Sequence, residues 1–117
     1  MSNDRPDLAQ LTEAVIAFRD ARDWKQFHNA KDVAISLSLE ASELLELFQW
    51  SAEPDVVVTT RSEDLGDELA DVFYWLLLMS HDCGIDLASA LMRKLEKNGS
   101  KYPIGKSRGN ARKYDSL

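Results

Sequence analysis

The chain has 117 residues, 44% of them hydrophobic, and a formal net charge of −6 at pH 7. A chain of this size and composition forms one globular domain with its own core, not a disordered segment. The negative charge argues against nucleic-acid binding, and the longest apolar stretch, 69–79, is too short to cross a bilayer. A single cysteine, Cys83, permits no internal disulfide, so we expect a cytoplasmic protein.

The first two predicted helices are recognised by their hydrophobic spacing. Residues that recur at helical spacing define the first helix: Leu8, Leu11, Val15 and Phe18. The second helix is predicted over 32–50 and must stop before Pro54, because proline interrupts a helix. The valines at 56–58 have strand propensity but stand alone between helices, so we expect a loop there.

Two further helices have recognisable ends. Thr60 and Glu63 have the spacing of a capping box, so a third helix is predicted to start there and to end near Gly84. Asp86 can cap a fourth helix, which ends at 98–99. No other segment has a convincing strand pattern. The predicted fold class is therefore all-α, a four-helix bundle.

Charge is unevenly distributed along the chain. Residues 1–98 contain nine Lys and Arg against nineteen Asp and Glu, whereas residues 99–117 contain five against one. The second segment is rich in Gly and Ser and lacks helical periodicity. We therefore predict an all-α domain over 1–98 and a basic, flexible C-terminal tail over 99–117. The tail is either a solvated, partly disordered end or an arm that closes over an anion.

Two of the predicted helices carry carboxylates inside their apolar faces. At about 100° per residue, Glu40 and Glu43 share one side of the second helix with apolar residues, namely Val33, Leu37, Leu44 and Leu47. Glu68 and Asp71 share one side of the third helix in the same way, with Leu65, Val72, Trp75 and Met79. Each helix therefore places two acids, three residues apart, in its packing face.

Acids in a packing face need an explanation. An unpaired buried carboxylate costs several kcal/mol, and four together repel one another and take up protons. They could instead reach water at the edge of the stripe, or pair with Lys and Arg. A cation is the economical alternative, and an all-carboxylate set without Cys or His suits Mg²⁺ or Mn²⁺. A di-iron centre is disfavoured, because its Glu-x-x-His motif is missing. Mg²⁺ accepts phosphate oxygens, so the pattern indicates a phosphorylated substrate.

Longer motifs surround these acids. The pairs stand in "EASE" at 40–43 and "DELAD" at 67–71, with "DWKQFH" before them and "KLEKNGSKYP" after them. Together they resemble the MazG-like all-α nucleoside triphosphate pyrophosphohydrolases, and within that family the dCTP pyrophosphatase branch, over about residues 8–114. The resemblance implies an Mg²⁺-dependent enzyme that converts a nucleoside triphosphate, with dCTP or a modified dCTP foremost, to the monophosphate and pyrophosphate. Residues 1–98 would then form the catalytic domain.

The resemblance also implies roles for individual residues. The Mg²⁺ ligands would be Glu40, Glu43, Glu68 and Asp71. Of these, Glu43 is our candidate for the catalytic group that orients the attacking water. The predicted substrate-binding residues are Trp24, His28, Trp50, Trp75, Lys94, Asn98, Tyr102, Arg112 and Lys113. Judged without the resemblance, the tryptophans fit a core equally well, and the charged residues fit a solvated surface.

Self-association is predicted from the third helix. Its segment "LADVFYWLLLM", 69–79, is apolar almost all round, which is more apolar surface than one small bundle can hide. The family resemblance likewise implies a homo-tetramer or a dimer, with a nucleoside triphosphate as the other partner. An alternative function stays open: a non-catalytic helical module that binds nucleotide or regulates by dimerisation.

Overall fold

The computed structural model describes residues 4–117, and every regular element within that range is helical. The α-helices are α1 Leu8–Asp20, α2 Ala30–Glu46, α3 Pro54–Thr60, α4 Ser62–Asp82, α5 Leu87–Lys101 and α6 Ile104–Ser107. Short 3₁₀ turns occupy Lys25–Phe27 and Tyr114–Ser116. The predicted all-α class is therefore confirmed. The chain divides into two compact units, 1–84 and 85–117.

Helix α4 organises the first unit, because α1, α2 and α3 all pack against it. Its Leu77 and Leu78 are fully buried, as is Val33 of α2, and Val57 of α3 is 6% exposed. Burying such an aliphatic side chain contributes about 1.5–3 kcal/mol. The packing of α2 against α4 is the feature that positions the site described below, since each helix carries one of the predicted acid pairs.

Helix α1 is fixed at both ends. At its start Asp7 and Gln10 form a reciprocal capping box, in which each backbone N–H donates to the other's side chain at 2.8 Å. In its last turn Arg19 is only 1% exposed and donates two hydrogen bonds, of 2.9 and 2.7 Å, to Asp82 at the end of α4. The ion pair joins elements 63 residues apart in sequence.

Three sequence-based expectations about these helices were wrong. Residues 56–58 lie inside α3 rather than in a loop; Pro54 occupies the start of that helix, where its missing N–H is not needed. Thr60 ends α3 and donates its hydroxyl to the Val56 carbonyl at 2.7 Å, so it forms no capping box with Glu63. Helix α2 ends at Glu46, and the residues up to 50 form turns.

The second unit contains α5, α6 and the last 3₁₀ turn. Asp86 caps α5 as predicted, because its carboxylate accepts from the Ser89 backbone N–H at 3.1 Å, and this bond lowers the pKa of Asp86. The helix continues to Lys101, beyond the predicted end at 98–99. The flexibility of the segment 99–117 and its division from 1–98 stay predictions. No helix in residues 4–117 is long and apolar enough to cross a membrane.

Candidate active site

Four carboxylates meet where α2 packs against α4. Glu40 and Glu43 come from α2, Glu68 and Asp71 from α4, and one ligand oxygen of each lies within 4.8 Å of the others. The spacing of three residues places both members of a pair on the same helical face. The structure thus brings together all four residues that the sequence singled out as metal ligands; we call them the acidic cluster.

The acidic cluster has no counter-charge within the described chain. The ion pairs found among residues 4–117 join Arg19 to Asp20 and Asp82, and Arg61 to Asp64, and none of them reaches the cluster. One expectation left open by the sequence, that these acids pair with Lys or Arg, therefore does not hold in this structure. The repulsion among these charges is relieved in another way: by water at the exposed Glu43 and Asp71, by protons or by a cation.

Burial and mutual repulsion raise the pKa of two cluster members. Burial raises the pKa of Glu40, and the neighbouring Glu43 and Asp71 raise it further, while hydrogen bonding with Trp75 opposes the shift. The pKa of Glu68 is raised by burial and then by the charges of Glu43 and Asp71. Without a bound cation, Glu40 and Glu68 therefore hold protons more tightly than free glutamate side chains do.

Two oxygens of the cluster are buried and unpaired. The Oε2 atoms of Glu40 and Glu68 are buried, and neither has a hydrogen-bond partner within residues 4–117. Unpaired buried polar atoms are rare and costly, so each calls for an explanation. Glu40, Glu43, Glu68 and Asp71 would hold a cation between α2 and α4, and their oxygen-only donors fit a hard divalent ion. The cluster therefore has the composition and the unsatisfied atoms of a metal site.

A cavity of about 470 Å³ opens beside the acidic cluster. Two of the acids, Glu40 and Asp71, form part of its wall. The remaining lining is apolar or aromatic: Leu11, Ala14, Val15, Phe18, Trp24, Tyr74 and Trp75. A cavity of this size lies in the range used for small-molecule ligands. It combines an acidic end with flat aromatic walls, so with a cation held at the acids it would suit a ligand that has a polyanionic and a planar part.

Three of the predicted substrate-binding residues of the first unit lie at or near this cavity. Trp24 and Trp75 line it. The ring of His28 lies edge-on to Trp75, with 5.3 Å between the centroids, and its Nδ1 atom is buried without a partner. Trp50 is different, because it is 91% exposed in the turn after α2 and is not part of the lining. Its predicted role in substrate binding stays a prediction.

The other predicted substrate-binding residues belong to the second unit. Three are exposed, namely Lys94, Arg112 and Lys113. Asn98 is half-buried at α5, and Tyr102 directly after α5 packs edge-on against Tyr114, with 6.1 Å between the ring centroids. Their roles in substrate binding also stay predictions.

Sequence reasoning missed two aromatic residues of the cavity. Phe18 was recognised only as part of an apolar stripe, and Tyr74 was not singled out at all, although it follows Asp71 by three residues on α4. The guanidinium of Arg22 lies 3.7 Å from the centroid of the Phe18 ring and 5.8 Å from that of Trp24. Helical spacing from Asp71 would have pointed to Tyr74, whereas the position of Arg22 depends on tertiary packing.

Fold and site define a class: an all-helical protein with an acidic cluster on two packed helices beside an aromatic cavity. The model of the MazG-like family matches residues 35–117, and the chain belongs to that family. The expected resemblance is thereby confirmed.

Named relatives agree with this assignment. The chain is 34% identical over 116 residues to dCTP pyrophosphatase 1 of Mus musculus, across 96% of this chain and 68% of that protein. Identity to dCTP pyrophosphatase 1 of Homo sapiens is 33% over the same length and the same shares of both chains. The crystal structure of a pyrophosphatase from Archaeoglobus fulgidus superposes with a TM-score of 0.79 at 36% identity, across 88% of this chain and 98% of that one.

Proposed function

We propose that this protein is a Mg²⁺-dependent nucleoside triphosphate pyrophosphohydrolase, which converts dCTP or a modified dCTP to the monophosphate and pyrophosphate. The observation that carries the proposal is the acidic cluster, which has no counter-charge in the described chain and adjoins an aromatic cavity. The similarity to proteins named dCTP pyrophosphatase 1 supports the choice of substrate.

The residues present indicate how the site would work. Glu40, Glu43, Glu68 and Asp71 would hold Mg²⁺, or Mn²⁺, which when bound offsets the charge of the triphosphate and lowers the pKa of a bound water. Glu43 is one of the two exposed acids of the cluster, the other being Asp71, and so can reach an incoming water molecule, whose proton it would accept. The water oxygen forms a bond to the α-phosphorus, the bridging bond to the β-phosphate breaks, and pyrophosphate leaves.

The aromatic walls of the cavity would bind the nucleoside part of the substrate. Trp24 and Trp75 line the cavity together with Glu40 and Asp71, so a triphosphate held at the acids places its base close to these rings. Stacking of a base on such a ring contributes about 1–3 kcal/mol. Discrimination among bases needs polar contacts in addition, since every base has a face that can stack.

Self-association is part of the proposal. Hydrophobic side chains on α2 and α4 stay largely in water in the single chain, among them Leu39 at 61%, Leu45 at 67% and Leu69 at 51% exposure. An exposed apolar surface of this kind is typical of a protein–protein contact. We propose a homo-tetramer, or at least a dimer, working in the cytoplasm, where the exposed Cys83 stays reduced. Light scattering at micromolar concentration tests the assembly, and a monomer mass would contradict it.

Product analysis tests the function directly. Purified protein is incubated with a panel of nucleoside triphosphates and Mg²⁺ in ¹⁸O-labelled water. The products are separated, and their molecular masses are measured by mass spectrometry. We expect dCMP and pyrophosphate from dCTP, with the label in dCMP, because attack occurs at the α-phosphorus. Formation of dCDP and orthophosphate would contradict the proposal. Tight nucleotide binding without any product would favour the non-catalytic nucleotide-binding or regulatory module.

A further inference from the structure

Tyr74 has a polar group that the proposed mechanism leaves unused. The residue lines the cavity beside the acidic cluster, yet its hydroxyl is buried and has no hydrogen-bond partner among the residues that the structure describes. It lies on α4 three residues after Asp71, about one helical turn from the cluster. The unpaired oxygens of Glu40 and Glu68 are explained by a cation, but a neutral phenol is not a ligand of choice for Mg²⁺. The Tyr74 hydroxyl needs a different partner.

The neighbours of Tyr74 offer it no acceptor. The rings of Phe18 and Trp75 lie edge-on to it, with centroids 6.0 and 5.2 Å away. The positive charges of Arg19 and Arg22 lower the pKa of its hydroxyl, but neither residue is an acceptor, and Arg19 already donates hydrogen bonds to Asp82 and Asp20. Burial is the dominant influence and raises the pKa of Tyr74, so the phenol keeps its proton at neutral pH. It can therefore both donate and accept one hydrogen bond.

We propose that Tyr74 binds the base of the substrate, by pairing its hydroxyl with a polar group on the edge of the base that enters the cavity. This inference rests on the proposed function, which places the phosphates at the acidic cluster and the base among the rings. The Tyr74 hydroxyl is buried, so the proposal requires the ring of Phe18, which lies edge-on to Tyr74 and is 45% exposed, to turn aside as the base enters. An amino or a carbonyl group on the base fits, because a hydroxyl serves either.

The substitution Tyr74→Phe tests this role, because it removes the hydroxyl and keeps the ring. We expect kcat/KM for dCTP to fall about tenfold or more, mainly through KM, since a hydrogen bond to the base is lost. Hydrolysis of deoxyribose 5′-triphosphate, which has no base, should be unchanged. The melting temperature of the nucleotide-free protein should stay the same or rise, because an unpaired buried hydroxyl is removed. Tyr114→Phe, which removes a hydroxyl from a half-exposed ring, is the matched control and should alter none of these quantities.

Several results would overturn the role of Tyr74. One is that wild type is active and that Tyr74→Phe has the same kcat/KM for dCTP. Another is an equal loss on the base-free triphosphate, which would show a general effect on the site. A lowered melting temperature would show that the hydroxyl is paired within the protein. If the wild type hydrolyses no nucleotide, the proposed function fails, and calorimetric affinity for dCTP in both proteins then decides the role of Tyr74.

Discussion

Two groups of charged side chains on α4 are balanced in opposite ways. Near the end of the helix, Asp82 is paired with Arg19, whose side chain is 1% exposed, through hydrogen bonds of 2.7 and 2.9 Å. Nearer the start, Glu68 and Asp71 face two further acids, and no ion pair within residues 4–117 offsets them. The chain supplies a counter-charge where an ion pair joins two helices, and within residues 4–117 it supplies none at the acidic cluster, where the proposed cation would provide it.

The largest expected effect is the loss of turnover from the acidic cluster. Glu68→Gln, and likewise Glu43→Gln, should reduce pyrophosphate release to below about 1% of wild type, because the neutral amide is a poor ligand for a hard cation. Without divalent ions the variants should be as stable as wild type or more so, since one of four repelling charges is gone.

Steady-state kinetics at limiting Mg²⁺ and thermal melting measure the two effects. Glu63→Gln is the matched control, because it neutralises an exposed acid in the first turn of the same helix. Near-normal turnover in Glu68→Gln would show that the ligand assignment is mistaken.

Substitution of Asp82, the acid paired with Arg19, should lower stability and leave activity unchanged. Asp82→Asn leaves the Arg19 guanidinium buried beside a neutral partner, so the free energy of unfolding should fall by about 3 kcal/mol. Activity per folded molecule should persist, because Asp82 does not line the cavity of the site. Urea unfolding measures the change.

Asp20→Asn serves for comparison: Asp20 is 54% exposed and contacts Arg19 at 3.3 Å, so its loss should cost less than about 1 kcal/mol. Equal losses in the two variants would remove the distinction between the contacts.

A smaller effect concerns pH and the protein without divalent ions. In the folded state the pKa of Glu40 and of Glu68 is raised above the ordinary value of 4.5. At a pH between 4.5 and the raised pKa, the folded state therefore binds more protons than the unfolded state does. Ionisation of these two acids therefore does not destabilise the fold below about pH 4.5, and it lowers the free energy of unfolding as pH rises from 4.5 through the raised pKa values. Melting curves of wild type and the Glu40→Gln, Glu68→Gln double variant should converge in acid, and wild type should be the less stable at neutral pH. A constant difference would contradict the raised pKa values.

The helical pattern made much of the fold predictable, because local hydrophobic spacing and caps determine where helices form. It identified α1, α2, α4 and the Asp86 cap of α5, and the spacing of the two acid pairs, Glu40 with Glu43 and Glu68 with Asp71, identified all four members of the acidic cluster. Helix α3 was missed because valine favours strands, while the Pro54 start and the packing of Val57 against the core favour a helix here.

Other features depend on contacts between distant residues. The burial of Arg19 requires a partner 63 residues away, which no local pattern shows. The unpaired hydroxyl of Tyr74 is likewise visible only once the neighbouring rings are in place. The spacing of acids on one helix predicts a site, but the absence of counter-charge that distinguishes the acidic cluster from the Asp82 pair is a tertiary property.

The dependence of melting temperature on Mg²⁺ shows whether the acidic cluster binds a cation in the folded protein. At a free Mg²⁺ concentration roughly a hundred times the dissociation constant, binding to the folded state adds about 2.7 kcal/mol of stability. Wild type should therefore melt at a higher temperature with Mg²⁺ or Mn²⁺ than with Na⁺ at equal ionic strength, and the Glu40→Gln, Glu43→Gln double variant should show no such difference. Equal shifts in wild type and that variant would contradict the account, because they would show that the four acids are only screened by salt.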